Sequence, residues 1–340
     1  MIRRFKSYSL KNHNTFGMNV YADQFYEYST VDELELLLSE KSLKGKRLLN
    51  LGSGSNFLFA SDFNGIILHS RIEGIEIVEE TGDEVIVSAG AGVIWDELVE
   101  WCVDKGFGGI ENLSLIPGTV GASVVQNIGA YGVELKDAFH KVEGIYIETG
   151  ERFIFHLDEC DFDYRFSVFK GALKNKIVIT RLFLKLSKNP VFNIEYGIIK
   201  SELEKQGKTV SLQNIRNAII KIRNSKLPDP AVTGNAGSFF KNPVIDEKAF
   251  SQLKIKYPEM PFYEINSGEL YKIPAGWLIE QSGWKGKSMG RAAIHSKQAL
   301  VIVNLGNATG NEIVNLATAV ENDIFNKFGI TLEKEVEIIK

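Results

Sequence analysis

The sequence predicts an α+β protein of two or three domains, on three observations. Strand-like runs with a few inserted helices fill the chain as far as Leu186. Two helices that stop at Leu227-Pro228-Asp229-Pro230 then mark a change of composition and a domain boundary. The last third mixes helices with strands again. At 340 residues the chain is long enough for separate hydrophobic cores.

In order, residues 30–39 read as a short amphipathic helix with Thr30 as N-cap and Val31, Leu34, Leu37 and Leu38 on one side. Residues 47–51 form a strand that runs into Gly52-Ser53-Gly54-Ser55-Asn56. That loop has Gly-x-Gly but no third glycine, and no helical period follows Phe57, so it is a backbone nest and not a Rossmann turn. Strands follow at 65–68, 75–78 and 85–89, then a helix at 94–105 with Ile94, Leu98 and Cys102 on one face. The stretch from Leu115 to Gly132 carries Gly118, Gly121, Gly129 and Gly132 and no charge; it reads as turns or a second nest. A hairpin (142–148, 152–155) and a strand (177–186) complete this part, and helices at 196–206 and 211–223 lead to the boundary. Beyond it lie helices at 246–256, 276–281 and 312–328 and strands at 299–304 and 330–339.

Composition narrows the function. A net charge of −4 argues against a nucleic-acid or anionic-membrane surface, so a bound phosphate would be held locally by backbone amides and a few side chains. Cys102 and Cys160 stand far apart without metal-ligand spacing, which fits a reduced cytosolic protein and no metal site. The basic start lacks an apolar signal core, and no apolar run approaches a membrane span. Arg165 sits among aromatics, where partial desolvation strengthens its hold on a carboxylate or phosphate; an ion pair with Asp161 or Asp163 is the alternative. Lys226 is a binding cation or a solvated lysine at a helix end. Ser238 lies in Gly-Asn-Ala-Gly-Ser-Phe-Phe-Lys-Asn-Pro (234–243) without a Gly-x-Ser-x-Gly elbow, so it is a proton donor or hydrogen-bonder, or else a capping serine. Alternation along 333–337 puts Glu333, Glu335 and Glu337 on one face, solvated or turned towards a ligand.

Assembled, these motifs resemble the UDP-N-acetylenolpyruvoylglucosamine reductase family over nearly the whole chain. The resemblance is carried by Asn14-Thr15-Phe16-Gly17, Leu51 to Asn56, Ile116-Pro117-Gly118 through Gly132, Tyr164-Arg165, Lys226 to Pro230, Gly234 to Pro243 and Ala275-Gly276-Trp277-Leu278-Ile279. Tyr196-Gly197 and the segment Tyr257 to Tyr263 are similar to the longer of the family's two forms. The family implies an FAD-binding module of the PCMH type, shared with vanillyl-alcohol-oxidase-like flavoproteins: subdomain 1–70 joined by strand 330–340, subdomain 71–223, and an α+β substrate domain, 224–329.

It further implies non-covalent FAD held by Gly52, Ser53, Gly54, Ser55, Asn56, Pro117, Gly118, Gly121, Ala122, Ser123, Asn127 and Gly129, with NADPH as hydride donor. Arg165, Ser238 and Glu335 match the catalytic residues, and Tyr131, Tyr196, Lys226, Asn242 and Tyr263 match substrate contacts. The implied protein is a monomeric enzyme of the bacterial cytoplasm acting on a UDP-sugar enolpyruvyl ether. Two departures stand out: Lys334-Glu335-Val336-Glu337 where the family has Pro-Glu-Val-Arg, and Val124 in place of a proline, which is expected to loosen its loop. The alternatives are another flavoprotein oxidoreductase of the same fold, or a silent UDP-sugar or flavin binder.

Overall fold

The computed structural model describes residues 1–195 and 198–340. Two compact units divide the chain: residues 1–8, 22–54 and 64–225 form the first, and residues 9–21, 55–63 and 226–340 the second.

The first unit is built on the strand Ile177–Ser187. Its apolar residues point both ways, so it is buried on both faces and lies at the centre of a five-stranded antiparallel sheet. The order is Arg152–His156, Phe139–Tyr146, Ile177–Ser187, Glu84–Gly90, Ile75–Thr81, with Leu182 opposite Val142 on one side and Ala89 on the other. Ile177, Ile179, Leu182 and Leu184 enter the larger core with Trp95, Leu98 and Val120. Val178 turns to a second core with Tyr28, Leu34 and Leu37. That second core receives the helix Val31–Ser39, whose Thr30 cap accepts from Glu33 N, and a four-stranded sheet ordered Arg3–Ser9, Tyr21–Tyr28, Phe63–Ser70, Leu48–Asn50.

A third cluster joins the helices Ile199–Gln206 and Leu212–Lys226 through Ile199, Leu203, Ile215 and Ile219. Arg216 on the second helix is 4% exposed and takes Asp96 in a two-point pair at 2.6 and 3.0 Å.

In the second unit the antiparallel sheet Asn235–Ser238, Val301–Asn304, Ala292–Ile294, Ser288–Met289 packs against the helix Gly310–Phe328. Ile313, Leu316, Ala317, Val320, Ile324 and Phe328 recur at helical spacing and are all buried. Three short antiparallel strands (Val244–Asp246, Leu270–Lys272, Tyr263–Ile265) form a separate small sheet. Glu337–Ile339 pairs in parallel with Phe57–Phe59. Asn14 closes its own loop by bonding Leu10 O, Met18 O and Met18 N. No helix of the described residues is long and apolar enough to cross a membrane.

Three expectations needed correction. The glycine-rich stretch holds a helix, Val120–Gln126, where turns or a nest were expected; it packs against Ile177–Ser187 and Glu84–Gly90. The final strand is confined to Glu337–Ile339, because residues before it leave the ladder; the alternation placing three glutamates on one strand face does not apply. Val124, expected to loosen its loop, is fully buried in the larger core.

The long helix also carries a pH-dependent cap. Glu312 Oε2 accepts from Thr309 N at 2.8 Å and from Arg291 Nη2 at 3.0 Å, and Arg291 foremost lowers its pKa from 4.5 to about 2. A carboxyl lowered in the folded state contributes its stabilisation above the unfolded value and loses it as pH falls towards the folded one. Glu312→Gln should therefore be less stable than the parent at pH 6, and the two denaturant midpoints should converge as pH falls from about 4.5 towards 2. A gap that stays constant over that range would show that the charge is not the stabilising feature.

Candidate functional site

The first unit brings the two glycine-rich loops together. A Cβ built on Gly52 would lie 2.5 Å from Thr119 Oγ1 and 3.5 Å from Ala122 Cβ, so the first loop rests on the second only because residue 52 has no side chain. Gly54 and Gly118 adopt φ of +64° and +136°. Among the described residues, the amides of Gly52, Ser53, Gly54, Gly118 and Thr119 donate to no backbone carbonyl. Unpaired amides on adjoining, uncharged segments are the donor set that a nucleotide diphosphate requires, and they fit FAD.

Other residues of the expected cofactor set are engaged within the protein. Gly121 N donates to Ala91 O at 3.0 Å, and a Cβ at 121 would meet Ala91 Cβ at 2.9 Å. The absence of a side chain at 121 thus lets the helix pack on Ala91. The Ser123 hydroxyl is buried and donates to Val120 O at 2.6 Å. Ala122 borders Gly52, and Pro117 is exposed at the approach to the helix.

Asn127 ends the helix in the left-handed region, with φ of 40° and no exposed surface. Its Nδ2 donates to Glu134 Oε2 at 3.1 Å and Asp163 O at 3.0 Å, and its Oδ1 accepts from Lys136 N at 3.1 Å. It is a bracket whose side chain is fully used inside the fold. The bracket holds the turn from which Arg165, also at positive φ (55°), reaches back so that Nη2 donates to Gly129 O at 2.7 Å. Tyr131 is half-buried, its carbonyl accepts from Asn112 Nδ2 at 3.0 Å, and burial raises its hydroxyl pKa against the pull of Arg223.

The second unit brings together Ser238 and Glu335. Ser238 is the last residue of Asn235–Ser238, after a bulge at Ala236-Gly237 in which Gly237 takes φ of +67° and donates to Asn235 Oδ1 at 2.9 Å. A bulge re-aims the side chain that follows it. Ser238 is thus a strand residue and caps no helix. Glu335 N donates to Phe239 O at 2.9 Å, and Phe240 bridges to Lys334, so Glu335 runs antiparallel beside the serine segment. Asn56 Nδ2 holds Glu335 O at 3.0 Å, and Asn56 O accepts from Glu337 N at 2.9 Å. Asn56, expected at the cofactor, anchors the glutamate segment. Ser55 belongs to the same unit.

Asn242 Oδ1 accepts from Ala275 N at 2.9 Å, at the start of the helix Ala275–Gln281. Lys226 is exposed at the end of Leu212–Lys226, and Tyr263 is exposed at the start of its strand. Tyr196 lies outside the described residues.

Arg223 was missed by sequence reasoning. Its guanidinium faces Tyr131, and its only sequence signal was a spacing of seven from Arg216 on one helix. Burial pushes the thiols of Cys102 and Cys160 up to about 12, which leaves both unreactive at neutral pH. Among the described residues no cluster of three His, Cys, Asp or Glu can hold a metal.

Gly52→Ala should part the two loops and weaken flavin binding by about tenfold or more, as overpacking of this size implies. Thr119→Ala in the same chain removes the atom in conflict and should restore most of the flavin occupancy. Failure of the second change to rescue would remove the loop contact from the cofactor site. Gly121→Val should instead lower the thermal midpoint, because the obstructing Ala91 atoms include backbone.

Comparison with known proteins bears on both parts of the chain. A family model for an FAD binding domain matches residues 22–154, and one for the C-terminal domain of UDP-N-acetylenolpyruvoylglucosamine reductase matches residues 229–339. The UDP-N-acetylenolpyruvoylglucosamine reductase of Bacteroides fragilis is 50% identical over 98% of this chain and 99% of its own. That of Flavobacterium johnsoniae is 48% identical over 98% of each. The crystal structure of the reductase from Thermus caldophilus, 23% identical, superposes with a TM-score of 0.69 over 100% of this chain and 99% of that one, and so shares the fold.

Proposed function

The chain belongs to the UDP-N-acetylenolpyruvoylglucosamine reductase family, an FAD-dependent oxidoreductase of peptidoglycan precursor synthesis, and on that premise we propose how its residues reduce the enolpyruvyl ether. The observation that carries the proposal is the pairing of Glu335 N with Phe239 O, which sets Ser238 and Glu335 on adjacent segments of one unit.

FAD, when bound and reduced by NADPH, would supply a hydride for the terminal carbon of the enolpyruvyl double bond. Charge then develops on the neighbouring carbon and its carboxylate. Arg165, and Glu335 acting as the neutral acid, are assigned to that carboxylate, where a preorganised donor is worth about 3–4 kcal/mol in the transition state. Ser238 gives its hydroxyl proton to the neighbouring carbon and is reprotonated from solvent. Transfer from so weak an acid is feasible because the enolate carbon is a strong base. Lys226, Asn242, Tyr263, Tyr131 and Tyr196 are assigned to the sugar nucleotide, with Lys226 and the tyrosines near its diphosphate.

The amides of Gly52, Ser53, Gly54, Gly118 and Thr119 hold the FAD diphosphate without a covalent bond, since neither loop contains His or Cys. In this assignment residues 1–70 with 330–340, and 71–223, serve the flavin, and 224–329 serve the substrate. The enzyme acts as a monomer in the bacterial cytoplasm.

Ser238→Ala separates this assignment from a purely architectural one. Flavin reduction by NADPH should survive, because that step places no proton on the sugar. Anaerobic reoxidation by the enolpyruvyl nucleotide should fall about 100-fold or more. Stopped-flow absorbance of the two half-reactions measures both, and equal slowing of both halves would assign Ser238 to the architecture.

A further inference from the structure

The helix Leu212–Lys226 carries Arg216 and Arg223 seven residues apart, about two turns, so both side chains leave one face. Their surroundings differ. Arg216 is matched by the two oxygens of Asp96. Arg223 has a buried Nε with no hydrogen-bond partner. Asp96 acts on Arg223 only at a distance, since its carboxylate is already taken by Arg216 and by the Leu115 amide.

The groups that face Arg223 are the Tyr131 hydroxyl and, as a like charge, Arg165. Burial and Arg165 both pull its pKa down, while Tyr131 and Asp96 oppose them. An arginine donor buried without an acceptor is unfavourable, and a second cation nearby adds to that; an entering oxyanion reverses both effects. A guanidinium can only donate, so a tyrosine oxygen facing it is cast as acceptor, and the phenolic proton remains for a ligand oxygen.

We propose that Arg223, together with the Tyr131 hydroxyl it faces, is a substrate-binding pair that takes an oxyanion of the UDP-sugar, either its carboxylate or its diphosphate. The assignment rests on the reductase activity proposed for this chain and adds to it a cation that the family resemblance did not supply.

The test titrates the flavin absorbance of the oxidised holoenzyme with two probes. One is the enolpyruvyl ether of UDP-N-acetylglucosamine. The other is UDP-N-acetylglucosamine, which keeps the diphosphate and lacks the carboxylate. Arg223→Gln should bind the enolpyruvyl nucleotide about 30-fold more weakly at full flavin occupancy, the loss associated with deleting one partner of a buried charged contact. Arg223→Lys keeps the charge without the planar fork and should recover part of that loss. Equal weakening for both probes assigns Arg223 to the diphosphate, and weakening of the enolpyruvyl probe alone assigns it to the carboxylate. Unchanged affinity for both probes in flavin-replete variants overturns the assignment. If Arg223→Gln does not fold or retain flavin, Tyr131→Phe decides: it should weaken the enolpyruvyl probe about tenfold, and unchanged affinity overturns the pair. A parent flavin spectrum that ignores the enolpyruvyl nucleotide overturns the activity and this assignment together, whereas unaffected variants overturn the assignment alone.

Discussion

The first unit depends on one close approach, that of Gly52 to Thr119. The Thr119 side chain can lie this close to the first loop only where residue 52 has no Cβ, and the amides of Gly52, Ser53, Gly54, Gly118 and Thr119 donate to no backbone carbonyl. From Thr119 the helix Val120–Gln126 sets out, and it ends on Asn127, whose saturated side chain fixes the turn at Asp163 and hence the origin of Arg165. A contact at one end of the segment thus determines where a cation stands at the other. The helix amides of Val120 and Gly121 belong to this scaffold, since both donate to the strand-end carbonyls of Val93 and Ala91.

A similar constraint operates in the second unit. A Cβ at Gly234 would overlap the Phe16 carbonyl; Asn235 N donates to Thr15 O at 3.0 Å and Asn304 Nδ2 to Phe16 O at 2.9 Å. The strand bearing Ser238 is therefore tied down where it begins by the Asn14–Gly17 loop. Where it ends, the Phe239–Glu335 hydrogen bond holds it, with Phe239 and Phe240 fully buried behind. Ser238 sits between the two ties, after a bulge that turns it out of the regular ladder. Support on both sides fixes the backbone that carries the hydroxyl, as the proton-donor role proposed for Ser238 requires.

Charge is distributed in keeping with this plan. The two glycine-rich loops carry no charge and offer amides, while the cations come from elsewhere: Arg165 from the turn after Asp163, and Arg223 and Lys226 from the end of one helix. A net charge of −4 leaves no general field to gather anions, so the proposed anion binding falls to individual side chains.

Much of this was legible in residue order. The strand Ile177–Ser187, the capped helix Val31–Ser39 and the long helix Gly310–Phe328 announce themselves by periodicity, because burial on one or two faces dictates the spacing of apolar side chains. The two glycine-rich loops and the Gly234–Pro243 segment were visible because unusual backbone demands unusual residues. Hidden were the helix inside the glycine-rich stretch, the partners of Asn56, Gly121 and Asn127, and the unpartnered Nε of Arg223. Each of these depends on which carbonyl or carboxylate, often more than 30 residues away, comes to lie opposite a given donor. The sequence by itself determined which residue types are available for the roles proposed at flavin, sugar nucleotide and proton transfer. Only the tertiary structure decided which of their hydrogen-bonding groups remain for a ligand, because a donor satisfied within the fold has nothing left to offer outside it.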